Sequence, residues 1–193
     1  MRYALFLALL CFAFTGLAHA GYVSSLQELS PTPAIFVFNV DQTSFSYGGA
    51  GTAFPVTGSA AGLLEAAANM GCDASDFSGF VPGGIALIER GSCTFSLKAI
   101  NAENAGAAAF IVFDDFNGVV NRNQWVFALP GPNIPGVFTT LSVGQSLLGE
   151  LSNGPVEMEL SVTSVPEPSS LGMWFLPSLL PAGRWLLRRW GTR

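Results

Sequence analysis

The stretch Gly84–Asp114 constrains the fold of this chain more than any other part of its sequence. The apolar run Ile85–Ile88 predicts a buried strand, which a glycine-containing turn ends. Thr94 can cap a following helix by accepting hydrogen bonds from its free backbone N–H groups. Gly106 can end that helix in a left-handed conformation, and Ala107–Phe113 is a second apolar run. Two near-continuous apolar strands joined by a helix predict a parallel β-α-β crossover, because strands buried on both faces need not alternate.

The helix of this crossover is expected to have one apolar and one polar side. Ala99, Ala102 and Gly106 recur at helical spacing, so the helix could lie close against a sheet. Lys98 and Glu103 are expected on the opposite side, facing solvent. The turn before the helix, RGSCTF, lacks the glycine spacing with which backbone N–H groups bind phosphate. A nucleotide site is therefore not predicted here.

Three other stretches of the body carry clear patterns. Ala34–Val40 contains β-branched and aromatic residues and predicts a strand. Ser142 can cap a short helix over Val143–Leu151. Val156–Val162 alternates apolar with polar residues, which indicates a half-buried strand. Together with the crossover, these patterns predict a mixed α/β fold.

Residues 1–20 have the organisation of a secretory signal peptide. A basic start precedes the apolar block Ala4–Phe14, and Ala18–Ala20 forms a small-x-small cleavage site. We expect cleavage after Ala20. This removes the only histidine of the chain and one of its three cysteines.

The two cysteines left in the exported chain are Cys72 and Cys93. Two cysteines in an exported protein predict one disulfide, with two separate buried thiols as the alternative. Without histidines they cannot complete a four-ligand zinc site by themselves. No resident cofactor is predicted.

The titratable residues of the body do not form a familiar catalytic pattern. A serine hydrolase needs a base, but the body has no histidine and one lysine, Lys98, which is expected on a helix surface. Adjacent Asp114 and Asp115 at a strand end should point opposite ways, unlike paired glycosidase carboxylates. Together with Asn117 they could offer oxygen ligands to calcium, although the spacing misses that of an EF-hand and an ordinary turn is the alternative. We expect a protein that is not an enzyme.

The charges of the body restrict its partners. Residues 21–165 contain twelve acidic side chains and three basic ones, Arg90, Lys98 and Arg122. Binding of phosphate backbones depends on clustered lysine and arginine. Nucleic acid is therefore not an expected partner.

Asp115–Pro132 is expected to be a long exposed loop. Arg122, Trp125 and Phe127 place one cation and two large rings in its polar sequence. These residue types are enriched where proteins bind their partners, so they form a candidate binding loop for peptides or sugars. The alternative is that both rings fold back over a sheet edge.

The C-terminal residues 166–193 resemble a PEP-CTERM sorting signal. Its parts occur in the required order: the motif Pro166, Glu167 and Pro168, an apolar run over Leu171–Gly183, and the basic residues Arg184, Arg188 and Arg189. The resemblance implies recognition and cleavage by an exosortase, a membrane protease, and delivery to the cell surface or extracellular matrix. It also implies a transient inner-membrane anchor, although the uncharged run is shorter than the ~20 residues that a helix needs to cross a bilayer.

The crossover itself carries a longer motif. From Arg90 to Ala107 the sequence follows R-G-x-C-x-F-x-x-K-x-x-N-A-x-x-A-G-A, preceded by Gly71-Cys72 and followed by Ile134–Val137. These features resemble the protease-associated (PA) domain over most of residues 34–163. The resemblance implies a small α/β (α+β mixed) fold, an open β-barrel or sandwich with a β-α-β crossover and edge helices. It also implies pairing of Cys72 with Cys93 and no catalytic residues.

These observations predict three segments: a signal peptide (1–20), a PA-like domain (21–165) and a sorting signal (166–193). The expected function is that of an exported, non-enzymatic module that binds an extracellular protein, a peptide or a polysaccharide at the cell envelope or in the matrix. The alternative is an accessory or regulatory component of an extracellular protease system, or a degenerate hydrolase.

Overall fold

We describe the fold from a computed structural model of the chain, which describes residues 21–37, 41–47, 55–116, 126–127 and 130–165. Within these residues, Tyr22–Ser164 form one compact unit. Its elements, in chain order, are β1 (Gly21–Ser30), β2 (Ala34–Phe36), β3 (Gln42–Ser44), β4 (Ser46–Tyr47), β5 (Gly58–Ala66), β6 (Ile85–Glu89), α1 (Phe95–Asn104), β7 (Ala109–Phe113), β8 (Val126–Phe127), β9 (Gly136–Thr139), α2 (Leu141–Leu151) and β10 (Glu157–Val165). Two short 3-10 helices, Ala68–Gly71 and Ala74–Phe77, lie between β5 and β6.

Eight of these strands form one mixed sheet in the order β2-β1-β10-β5-β6-β7-β9-β3. The pairs β5–β6, β6–β7 and β7–β9 are parallel, whereas β1–β2, β5–β10 and β3–β9 are antiparallel. The short strands β4 and β8 form a separate parallel pair. The predicted α/β fold and its parallel crossover, β6-α1-β7, are therefore confirmed, with the main strands in a single eight-stranded sheet.

The parallel strands at the centre of the sheet are buried on both faces. Ile85 and Leu87 of β6 pack into one core together with α2, while Ala86 and Ile88 pack into a second core together with α1. All four side chains are at most 1% exposed. This arrangement explains why the strand is a continuous apolar run, since neither face meets solvent.

The ends of α1 follow the sequence prediction. The Thr94 hydroxyl accepts a hydrogen bond from the backbone N–H of Leu97 at 3.3 Å. Gly106 has a φ of +95°, a left-handed conformation that is readily available only to glycine. Between these ends, Ala99 and Ala102 are fully buried against the sheet.

The cap of α2 differs from the prediction. The capping residue is Thr140, whose hydroxyl accepts from the backbone N–H of Val143 at 3.3 Å, and not Ser142. Thr140 still has the extended backbone of the preceding strand, which a cap requires, whereas Ser142 already lies inside the helix.

The strand predictions near the ends of the body are correct in part. Val156–Val162 is half-buried as predicted, with Met158 and Leu160 fully buried, and β10 continues to Val165. In the stretch Ala34–Val40 the strand ends at Phe36, and residues 38–40 lie outside the described ranges. The long strand β1 carried no clear pattern and was not predicted.

Two glycines allow close packing on the sheet: Gly144 of α2 faces Phe113, and Gly136 of β9 lies beside the Phe110 ring of the neighbouring strand β7. A Cβ placed on Gly144 of α2 would lie 2.2 Å from the Phe113 ring and 2.4 Å from the Phe113 Cβ. A Cβ on Gly136 of β9 would lie 2.2 Å from the Phe110 ring. Neither position has space for a side chain.

We expect Gly144→Ala to lower the free energy of unfolding by about 1–3 kcal/mol, because the added methyl group forces α2 away from Phe113. Gly149→Ala on the same helix is the matched control, since a Cβ there meets no atom within 4 Å. The control should be more stable than the parent chain by about 0.5–1 kcal/mol, the helix-propensity difference between alanine and glycine. Urea unfolding measures both changes, and equal effects of the two substitutions would contradict the close packing of α2.

Candidate binding site

The polar residues that follow β6 and β7 meet at one edge of the sheet. Because the two strands are parallel, their carboxyl ends lie side by side, with Glu89 opposite Phe113. Arg90 follows the first strand, and Asp114 and Asp115 follow the second. The edge beyond the carboxyl ends of parallel strands is where open α/β sheets commonly bind ligands.

These residues form a connected cluster, which we call the carboxyl-edge cluster: Arg90, Asp114, Asp115 and Phe116. Arg90 Nη1 lies 2.7 Å from Asp114 Oδ1 and 3.6 Å from Asp115 Oδ1. The Arg90 guanidinium carbon lies 5.4 Å from the centre of the Phe116 ring, within cation–π distance. The Arg90 backbone N–H also donates to the carbonyl oxygen of Phe113 at 3.0 Å.

The members of the cluster differ in their exposure to solvent. The Asp114 side chain is 10% exposed and the Arg90 side chain 30%. The Asp115 side chain is 48% exposed, and Phe116 is 54% exposed. Asp114 therefore anchors the arginine, while Asp115 and Phe116 present a carboxylate and an aromatic ring to solvent.

The calcium hypothesis for Asp114, Asp115 and Asn117 is not supported by this geometry. Both carboxylates face the guanidinium of Arg90, so a metal ion would have to displace an existing cation. Asn117 lies outside the described residues. In the part of the chain that the structure describes, no three histidine, cysteine or acidic side chains are arranged to hold a metal ion.

The predicted disulfide between Cys72 and Cys93 is present. It joins the segment between the two 3-10 helices to the turn that precedes α1, two points 21 residues apart in sequence. A cross-link of this loop length stabilises a fold by about 3 kcal/mol in the chain-entropy model.

Lys98 does not face solvent, and this prediction is wrong. The residue is fully buried, and its Nζ donates a hydrogen bond to the backbone oxygen of Met70 and lies 3.8 Å from Cys72 Sγ. The reason is the segment Ala68–Gly71, which packs over this side of α1 and gives the lysine a carbonyl partner. Glu103 is half-buried and accepts hydrogen bonds from Asn133.

The backbone that Lys98 contacts has an unusual conformation. Asn69, Met70 and Gly71 all have positive φ angles, of +44°, +69° and +66°. Two of the three are not glycine, so the conformation must be held by contacts from outside the segment. Lys98 supplies one contact, and the Asn101 side chain donates to the carbonyl oxygens of residues 71 and 72 at 3.2 and 2.9 Å.

Burial and the neighbouring charges act on the pKa of Lys98 in opposite directions. Burial lowers the pKa of the amine below its ordinary value of 10.5, and this is the largest effect. The negative charges of Glu89 and Asp76 oppose it by favouring the protonated form. The net pKa is lowered, so burial outweighs the two carboxylates.

The candidate binding loop and the sorting signal cannot be placed. Arg122 and Trp125 lie outside the described residues, and for Phe127 only the backbone, in β8, is described. The motif Pro166–Pro168 and the basic cluster with Arg184, Arg188 and Arg189 also lie outside them. These assignments remain predictions.

From the sequence, Asp114 and Asp115 were considered as candidate calcium ligands and were not connected with Arg90 or Phe116. A usable signal existed, because Arg90 directly follows one buried strand and Asp114 directly follows the next. Residues at those two positions must be neighbours once the strands pair in parallel.

Comparison with known proteins shows which family model this part of the chain matches. The family model of the PA domain matches residues 55–147. The chain is 44% identical over 79 residues to an aminopeptidase of Pseudomonas aeruginosa (strain PAO1), a match that covers 38% of this chain and 14% of the aminopeptidase. It is 32% identical over 92 residues to the minor extracellular protease Vpr of Bacillus subtilis (strain 168), covering 47% of this chain and 11% of that protein.

Solved structures support the fold. The subtilisin-like protease Apa1 from Pseudoalteromonas sp. AS-11 matches 75% of this chain with a TM-score of 0.56 and 18% identity, over 34% of its own chain. The zinc aminopeptidase BSAP from Bacillus subtilis matches 84% of this chain with a TM-score of 0.51 and 23% identity, over 37% of its own chain. The similarity therefore covers only a minor part of each relative.

We expect the parent chain to gain stability relative to Lys98→Met as pH rises toward 10.5. Because the folded pKa of Lys98 is lowered, the unfolded chain binds more protons between the folded and unfolded pKa values. The free energy of unfolding of the parent chain therefore rises with pH over that range, and the methionine variant lacks this contribution. Urea unfolding at several alkaline pH values measures the difference. The neighbouring substitution Leu97→Met, at a position 41% exposed, should give a difference that is constant with pH. A parent chain that gains no stability relative to Lys98→Met over this pH range would contradict the lowered pKa of the buried lysine.

Proposed function

We propose that the PA domain that this chain contains at residues 55–147 is the non-enzymatic polypeptide-binding module of an exported protein, with the carboxyl-edge cluster as its contact site. The observation that carries the proposal is the joint exposure of Asp115 and Phe116 beside Arg90.

The chemistry of the cluster suits a polypeptide. The Asp115 carboxylate can accept hydrogen bonds from backbone or lysine N–H groups, and the Phe116 ring offers an apolar surface for an adjacent side chain. Arg90 holds both groups in position through its contacts with Asp115 and with the ring. The predicted binding loop, with Arg122, Trp125 and Phe127, continues the chain from this same edge.

The names of the similar proteins support a connection with polypeptides. Two are an aminopeptidase and an extracellular protease, and both match this chain over only a small part of their length. A role as an accessory component of an extracellular protease system is the second candidate, and the same names favour it. In either role the module would contact polypeptide without cleaving it.

Two observations support a non-enzymatic role. The only histidine of the chain, His19, lies in the predicted signal peptide, so the exported body has no imidazole to serve as a general base. The one lysine of the body, Lys98, is buried and hydrogen-bonded to a carbonyl oxygen. Catalysis by a serine–lysine pair therefore has no accessible base.

Export is supported by the disulfide, because such bonds persist in oxidising compartments. Among the described residues, no helix is both long enough and apolar enough to cross a membrane. Sorting by an exosortase and transient anchoring through residues 166–193 remain part of the proposal on sequence grounds.

We expect Asp115→Asn and Phe116→Ala each to weaken binding of a fluorescent unfolded polypeptide, reduced and alkylated casein, by about tenfold. Fluorescence anisotropy with the purified chain measures this. Leu148→Ser is the control, because Leu148 is an exposed apolar residue on α2, away from the cluster, and it should leave binding unchanged. Casein fragments appearing during incubation would contradict the non-enzymatic role. Equal binding by all three variants would contradict the site, as would preference for a soluble polysaccharide such as dextran over casein.

We also expect the protein released from its host to lack the residues beyond the Pro166–Pro168 motif. Mass spectrometry of the released and the cell-associated forms measures this, and the cell-associated precursor should retain Arg184–Arg193. Released protein that still carries the tail would contradict the sorting-signal prediction.

A further inference from the structure

We propose that the outer face of strands β2, β1, β10 and β5 is a docking surface for a protein partner that presents apolar side chains bordered by lysine or arginine. We call this surface the open face. It is separate from the carboxyl-edge cluster, so this proposal can be tested independently of the proposed function.

The open face exists because the two helices cover the sheet unevenly. On the α2 side, a core fills the sheet from Leu26 of β1 across to Val137 of β9. On the α1 side, the core contains strand residues of β6, β7 and β9, but among the described residues none of β1, β2, β5 or β10. Within the described ranges, this half of the sheet is therefore packed on one side only.

The uncovered side carries several large, exposed apolar side chains. Ile35 on β2 is 79% exposed, and Val23 and Leu29 on β1 are 41% and 38% exposed. Leu63 on β5 is 41% exposed. Ile35 pairs with Gln27 of β1, which places Ile35 on the same face as Val23 and Leu29. On β1 the outward residues Ser25 and Gln27 lie between Val23 and Leu29, so apolar and polar side chains alternate along this face. Large exposed apolar side chains bordered by polar groups are typical of an interaction surface.

The charge of the open face is negative. Glu157 and Glu159 of β10 lie on it, paired in register with Leu63 and Ala61 of β5. Glu159 Oε2 accepts a hydrogen bond from Gln27 Nε2 at 2.6 Å, which links the acidic strand to β1. The two described basic residues, Arg90 and Lys98, lie elsewhere, at the carboxyl edge and beneath residues 68–71. Electrostatic complementarity therefore selects a partner with basic groups around an apolar centre.

A second copy of this chain fits the open face less well. Two identical faces would bring their glutamates together, and like charges disfavour such contact.

Residues of the open face also border a depression. It measures about 490 Å³ and lies at the β1–β2 end of the sheet, between the apolar residues Leu29, Pro33, Ala34 and Ile35 and the polar residues Gln27 and Glu28. This mixed lining suits the apolar and basic groups expected of the partner.

Three short peptides of equal length test this proposal with the full chain: alternating leucine and lysine, alternating leucine and glutamate, and alternating serine and lysine. We expect the leucine–lysine peptide to bind most tightly and to slow backbone hydrogen exchange in β1, β2 and β10. Ile35→Ser, and separately the pair Glu157→Gln and Glu159→Gln, should each raise its Kd about tenfold. Leu97→Ser is the matched control, since Leu97 is exposed to the same extent as Val23 but lies on α1, and it should leave the Kd unchanged.

Other outcomes would overturn the proposal. If the serine–lysine peptide bound as tightly as the leucine–lysine peptide, charge alone would account for binding. If Leu97→Ser weakened binding as much as Ile35→Ser, binding would not depend on the open face. Binding of the chain to phosphatidylcholine vesicles that Ile35→Ser abolishes would identify the face as a lipid contact. A dimer in sedimentation that the same substitution dissociates would identify it as a self-association surface. Loss of binding in Asp115→Asn but not in Ile35→Ser would assign the probe to the carboxyl edge.

Discussion

The fold depends above all on the burial of β6 and β7 on both faces. Once each face of this parallel pair is covered, by α1 on one side and α2 on the other, no polar side chain can be placed within the strands without a buried partner. Polar groups therefore begin where the strands end, and this accounts for the ion pair between Arg90 and Asp114 at the sheet edge. The close approach of α2, which requires a glycine opposite Phe113, is a second consequence of the same burial.

Much of this arrangement could be predicted from the sequence, because the determining patterns are local. The crossover followed from two apolar runs and a capped helix, and the half-buried β10 followed from its alternation. The disulfide followed from the two cysteines that remain after removal of a signal peptide. The cap of α2 was misplaced because Ser142 and Thr140 are both good capping residues, and only the end of β9 decides between them.

The position of Lys98 could not be predicted, because it depends on a segment about 28 residues earlier in the chain. A lysine on a helix faces solvent unless other backbone covers it, and nothing in the helix sequence indicates that Ala68–Gly71 does so. The strand β1 was missed for a related reason, since its inward side chains include Ser24 and Glu28 as well as Leu26. The buried polar residues of β1 hide the alternation on which sequence analysis relies.

The left-handed run Asn69–Gly71 limits how this module can be transplanted or redesigned. Its backbone is held by two side chains of α1, Lys98 and Asn101, through carbonyl oxygens that any sequence would present. Side chains of α1, and not the loop's own sequence, therefore determine the conformation of this loop. A design that grafts the crossover into another protein must therefore include the chain from Asn69 through Gly106 as one segment. The loop lacks the contacts that hold its backbone when α1 is absent.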